Sequence, residues 1–213
     1  MGFEEALHWS EYSKLLIGLL AIVNIPSSLF LFLALTSDFN TAQKRQVALT
    51  AAVSVALVLT IFNFFGTQVL ELFGISIDSF RIAGGLLILL SALAMMTGGQ
   101  AAPQRERIAT AHTSVAITPL AVPSLAGPGA ISTIIVYAHL GHLEENPTYG
   151  HEILVTLVIL TVALLVYLAL RMAPSIGDRL GETGIAVFNR VMGLVVAAIA
   201  VEFIAAGVLG FVP

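Results

Sequence analysis

The chain has 213 residues, of which 58% are hydrophobic and only 10% charged. A soluble domain carries about 25% charged residues, so this composition marks a polytopic membrane protein whose chemistry takes place in the bilayer. The net charge of -4 argues against a nucleic-acid partner, and with no cysteine there are no disulfides and no thiolate metal sites.

The chain opens with Glu4, Glu5 and Glu11, an acidic start that does not read as a signal peptide. Charge-free runs then mark six spans. They lie between Lys14 and Asp38, Arg45 and Glu71, Arg81 and Arg105, Arg107 and Glu144, Glu152 and Arg171, and after Arg190. A transmembrane helix needs about 20 apolar residues. Five of the runs are close to one span, whereas the fourth, Ile108 to Leu143, has 36 residues. That is long for one helix and short for two with a turn, which predicts a single span with a non-helical break.

The composition of the fourth run locates the break. Thr118 to Ser132 holds Pro119, Pro123, Pro128, Gly127 and Gly129. Proline removes a backbone donor and disfavours helix at the residue before it, so Thr118, Val122 and Gly127 resist a continuous helix. Span one has a smaller interruption, Asn24-Ile25-Pro26-Ser27-Ser28. Non-helical backbone at membrane depth is tolerated only where protein surrounds it or where it lines a cavity.

Lys44, Arg45, Arg105, Arg107, Arg171, Arg179 and Arg190 fall on one side of a six-span chain, and only Lys14 and Arg81 on the other. The excess predicts that the first, third and fifth loops are cytoplasmic and both termini outside, the alternative being both termini inside.

The halves resemble each other. Arg81-Ile82-Ala83-Gly84 opens span three, and Arg190-Val191-Met192-Gly193 opens span six. Three spans per half is an odd number, so the second half enters the membrane upside down. The expected architecture is an all-α membrane protein of six transmembrane helices, in two inverted three-helix repeats at residues 1–104 and 105–213, with discontinuous first and fourth helices. Secondary transporters place their sites between such paired breaks.

Pro26 and Pro128 suit the first residue of a half-helix. Backbone N–H groups there lack intrahelical partners and carry the positive dipole end, which suits a small carboxylate. Ser27, Ser28, Gly129 and Ala130 supply such groups, and Asn24, Thr118, Ser124 and Ser132 add neutral polar atoms. With no lysine or arginine in either break, a small zwitterion fits better than phosphate. The predicted substrate-binding set is Asn24, Ile25, Pro26, Ser27, Ser28, Thr118, Pro119, Pro123, Ser124, Gly127, Pro128, Gly129, Ala130 and Ser132. Glu202 is the one formal charge inside a predicted span, which makes it a candidate for proton coupling. His139, His142, Glu144, Glu145, His151 and Glu152 read as a solvated outer loop with no metal motif, and Asn63 as an interhelical hydrogen-bonding residue.

Several segments together resemble the MarC family of integral membrane proteins. They are Asn24 with a following proline, Phe32-Leu33-Ala34-Leu35-Thr36, Arg81 to Leu89, Pro119 to Thr133, and Arg190-Val191-Met192-Gly193-Leu194. The resemblance covers nearly the whole chain. It implies a transporter of small neutral amino acids such as glycine and alanine, coupled to a proton or sodium ion and working by alternating access, with no cofactor and no enzymatic activity. An exporter of other small metabolites or drugs, or a channel, is the alternative. One departure stands out. The family's first motif runs Asn-Pro, two residues, Asn, one residue, Pro, whereas this chain has Asn24, Ile25-Pro26, Ser28 and Phe30.

Overall fold

A computed structural model describes residues 3–97, 125–142 and 150–211. Among these residues the chain is helical, without a strand. In order the helices are α1 (Phe3–Val23), α2 (Ile25–Leu35), α3 (Thr41–Leu72), α4 (Ile77–Thr97), α5 (Pro128–His142) and α6 (Gly150–Leu209). Five stretches are long and apolar enough to cross a membrane: Glu11–Leu35, Thr41–Leu72, Ile77–Thr97, Gly150–Gly177 and Ala186–Leu209. They match the first, second, third, fifth and sixth predicted spans. Of the fourth, only the half ending in α5 is described.

The face each helix turns outward confirms what surrounds it. On α3, Leu49, Val53, Leu57, Ile61 and Phe65 recur every four residues and all are exposed, while Ala48, Ala52, Val55, Leu59 and Leu70 are buried. A soluble helix shows water its polar face. Here a leucine and phenylalanine stripe is outermost, as lipid requires. Asn40 begins α3 with a capping box: its side chain accepts from the Gln43 N–H at 2.9 Å, and the Gln43 side chain accepts from the Asn40 N–H at 2.9 Å.

The backbone of α6 winds as helix for 60 residues with Pro174 inside it, where the sequence predicts a fifth loop. A straight helix of that length would be about 90 Å long, but its contacts forbid that. The beginning of α6 lies along the end of α3, where Asn63 hydrogen-bonds Glu152 and Thr156. The end of α6 lies along the beginning of α4, where Gly207 meets Ile82 and Asp78. Only the short link from Leu72 to Ile77 joins α3 to α4, and it spans at most about 18 Å. Both ends of α6 are therefore near one face, and the helix doubles back between Gly177 and Ala186. Its first arm (Gly150–Gly177) and second arm (Ala186–Leu209) are the fifth and sixth spans.

The second arm packs antiparallel on α4 through small residues. A Cβ added at Gly85 would stand 3.0 Å from the Ala200 carbonyl oxygen, one at Gly193 would stand 3.0 Å from that of Ala92, and one at Gly207 would stand 2.9 Å from that of Asp78. The contact is reciprocal: each of Gly85 and Gly193 faces the alanine seven residues beyond the other glycine. Gly85, rather than Gly84, is thus the packing counterpart of Gly193. Gly84 faces α5 instead, where an added Cβ would meet the Ser132 Cβ at 2.5 Å. Ala21, Ile88, Ala92, Met95, Val196 and Ala200 form the core along this seam. A second, larger core joins α1, α2, α3, α5 and the first arm, with Leu15, Leu19, Leu59, Ile134, Ile159 and Val166 at its centre.

Glycine is needed along the seam because backbone carbonyls cannot move aside. Gly85→Val and Gly193→Val are each expected to destabilise the protein by about 1–3 kcal/mol through overpacking. Gly18 has nothing within 4 Å of an added Cβ, so Gly18→Val should leave stability nearly unchanged. Denaturation in detergent reads the three variants, and equal effects at all three positions would refute the seam.

Candidate functional site

Asn24 separates α1 from α2. It sits at φ 53° and ψ 57°, the sole non-glycine residue with positive φ among the described residues. Asparagine tolerates this left-handed conformation better than other residues because its short polar side chain bonds locally. Here its Oδ1 accepts from the Ser27 N–H at 3.3 Å, and its Nδ2 donates to the Ser27 Oγ at 2.8 Å. Its carbonyl oxygen accepts from the Ser28 N–H at 3.2 Å and from the Ser28 Oγ at 3.1 Å. Pro26 sits in the first turn, where its missing N–H leaves nothing unpaired. Asn24 and Ser28 are both buried. The first break therefore satisfies its own donors: the Ser27 and Ser28 amides, expected from sequence to face a ligand, already have partners on Asn24.

The second break is built differently. Pro128 is the first residue of α5, as its position in the sequence predicts, and Gly127 occupies the capping position, its carbonyl accepting from the Ile131 N–H at 3.1 Å. Glycine offers no capping oxygen. Among the described residues nothing accepts from the Gly129 or Ala130 amides at the positive end of α5. Ala130 and Ser132 are buried. Thr118, Pro119, Pro123 and Ser124 lie outside the described residues.

The two breaks meet at one depth. His151 marks a common level: its Nδ1 is 2.8 Å from the Tyr12 hydroxyl of α1, and its Nε2 is 2.9 Å from the Tyr137 carbonyl oxygen of α5. Asn24 follows Tyr12 by 12 residues and Pro128 precedes Tyr137 by 9, or about 18 Å and about 14 Å along a helix. In a hydrocarbon core about 30 Å thick, both breaks fall near the middle. From there α2 runs toward the opposite face, where Leu33 meets Gly177, while α5 runs back toward His151. Two half-helices thus start side by side and point in opposite directions. Residues from both breaks belong to one core, Val23 and Ile25 from the first and Leu125, Ala126 and Ala130 from the second.

Gly129 serves this convergence in a way sequence did not reveal. A Cβ there would stand 2.7 Å from Ile88 Cγ1 and 3.3 Å from Ile22 Cγ2. The space above its Cα is filled by α4 and α1, not left open for a ligand to approach. Ile22 and Ile88 carry no signal in the sequence that would mark them as neighbours of the break.

The other predicted residues are placed as follows. Glu202 is exposed on the second arm. Gly85 packs on Ala200 and Gly207 on Asp78 and Ile82, so Glu202 lies near the level of Arg81 along the seam. His151 is not a free loop residue, since it ties α1 to α5. Asn63 is interhelical as expected: its Nδ2 donates to the Glu152 carbonyl at 3.1 Å and to the Thr156 Oγ1 at 3.2 Å, while its buried Oδ1 has no partner.

With that geometry in place, comparison with known proteins decides the family. Residues 9–212 match the family described as MarC family integral membrane protein. This chain belongs to the MarC family. Among its relatives, the UPF0056 membrane protein YhcE of Escherichia coli K12 is 39% identical over 206 residues, 95% of this chain and 94% of that protein. The UPF0056 membrane protein MJ1677 of Methanocaldococcus jannaschii is 37% identical over 196 residues, 91% of this chain and 93% of that protein. The UPF0056 membrane protein YvbG of Bacillus subtilis is 31% identical over 202 residues, 92% of this chain and 93% of that protein. No solved structure matches.

The geometry of the first break sets an order of tolerance at Asn24. Asn24→Ala loses the cap and also forces a Cβ residue into the left-handed region, and is expected to lower stability by about 2–4 kcal/mol. Asn24→Gly accepts that conformation freely and replaces a cap for only a few tenths of a kcal/mol. Unfolding in detergent should rank wild type and Asn24→Gly well above Asn24→Ala. The reverse order would overturn the left-handed cap.

Proposed function

We propose that this MarC family member is a secondary transporter of small neutral amino acids of the glycine and alanine type. In this proposal it works by alternating access between two inverted three-helix repeats, residues 1–104 and 105–213. The observation that carries the proposal is the meeting of two oppositely directed half-helix N-termini near the middle of the membrane. Such a pair places two positive helix ends beside one small volume, which suits a carboxylate. The reciprocal packing of α4 on the second arm supports the inverted symmetry. In this scheme the positive end of α5 takes the substrate carboxylate through the Gly129 and Ala130 amides. At the other break the Asn24 amide oxygen occupies an acceptor position, and a carboxylate oxygen takes it over when that side chain rotates away. The seam of α4 and the second arm moves as a unit while the half-helices rock. Lys44, Arg45, Arg171 and Arg190 then mark the cytoplasmic face by the positive-inside rule, which puts both termini outside a prokaryotic plasma membrane. Glu202 is the proposed proton-coupling group, set near the level of Arg81 along the seam. The chain acts without enzymatic chemistry.

Counterflow in proteoliposomes tests the substrate class. Vesicles preloaded with unlabelled alanine are expected to accumulate labelled glycine or alanine saturably, and the corresponding methyl esters, which lack the carboxylate, should neither exchange nor compete. Equal competition by the esters would remove the helix ends from substrate binding, and unsaturable flux would indicate a channel. Glu202→Gln should flatten the pH dependence of exchange; a profile identical to wild type would exclude Glu202 from coupling.

A further inference from the structure

Away from the breaks, two arginines from different helices converge at the edge of the bundle. The register of α3 against the first arm of α6 places them. Asn63 pairs with Glu152. Arg45 lies 18 residues before Asn63 and Arg171 lies 19 after Glu152, so in antiparallel helices both are about 27–28 Å from that bond and face each other. Tyr167 is one turn before Arg171 on the same face of the arm, and both Arg45 and Arg171 stand close enough to its hydroxyl to act on it electrostatically. Both guanidinia are exposed, while the tyrosine ring packs partly buried against the larger core. Among the described side chains, no carboxylate acts on this hydroxyl.

Two cations gathered at a membrane boundary repel one another, and the repulsion is strongest where lipid lowers the local dielectric. An anion between them relieves it, and guanidinium matches phosphate in fork geometry. The immediate surroundings identify which anion. Membrane-ward of the arginines, Leu49 of α3 and Leu164 and Leu168 of the first arm are exposed. They form an apolar ledge leading from the charged end into the hydrocarbon. A ligand that fills both has an anionic phosphate at one end and acyl chains at the other. We propose that Arg45, Tyr167 and Arg171 form a binding site for the headgroup phosphate of an acidic phospholipid, seated in the groove between α3 and the first arm. The site is separate from the breaks and does not depend on the transport reading. By clamping α3 to the first arm at its basic end, a bound lipid stabilises their packing.

Native mass spectrometry of the detergent-purified full chain, titrated with phosphatidylglycerol, phosphatidylcholine or inorganic phosphate, tests the site. Phosphatidylglycerol should bind more tightly than phosphatidylcholine, and inorganic phosphate should not displace it. Removing one arginine near an anionic surface weakens binding about fivefold. Arg45→Gln and Arg171→Gln should each show that loss, and R45Q/R171Q a loss of about thirtyfold. Should the double variant fail to fold, the single variants carry the test. Arg81→Gln, at the opposite face, should bind as wild type. The site is overturned if the arginine variants retain wild-type affinity, if Arg81→Gln weakens binding equally, or if phosphatidylcholine binds as tightly. Displacement by inorganic phosphate would overturn the lipid as its occupant.

Discussion

A hydrocarbon interior offers no water to a freed backbone amide or carbonyl. Each interruption of a spanning helix must therefore be repaired by the protein or be held open for a polar guest. At Asn24 the protein makes the repair: the side chain accepts from the Ser27 amide and the carbonyl from the Ser28 amide, with the backbone held in a left-handed conformation that asparagine accepts readily. At the start of α5 the residue before Pro128 is Gly127, which has no side chain to offer such a bond.

The rest of the fold keeps these two ends together. The small-residue seam between α4 and the second arm of α6 brings backbones close enough that any Cβ at Gly85, Gly193 or Gly207 would strike a carbonyl. In lipid, where apolar burial gives helices no advantage over contact with acyl chains, such close approach is the main source of association. Ile88 projects from α4 onto Gly129, and Ser132 packs against Gly84. The seam therefore fixes α4, and α4 in turn positions the start of α5. Tyr12, His151 and Tyr137 perform the equivalent task at the far end by joining α1 to α5.

Much of this was legible in the residues. Charge-free runs delimit helices because a charge in hydrocarbon is costly, and a proline begins α5 at Pro128 because its lost donor is harmless there. The partner of Gly193 was legible only to within one residue. Arg81 and Arg190 align Gly84 with Gly193, yet packing pairs Gly193 with Gly85. Two adjacent glycines give identical local signals, and which one faces the neighbouring helix depends on a rotation about the axis of only about 100°. The doubling back of α6 was legible as the fifth loop between the fifth and sixth spans, but the helical winding of the backbone through that loop was not.

Sequence by itself determined that this is a membrane-embedded helical protein with two interrupted spans and a basic face, because hydropathy, proline and charge act locally and each leaves its own mark. Tertiary structure alone decided that the interruptions meet at one depth, that Asn24 answers the Ser27 and Ser28 amides, and that Gly129 makes room for isoleucines. It also decided that Arg45 and Arg171 converge. These are relations between residues far apart in the chain. They follow from antiparallel register and close backbone approach, and no local pattern records either.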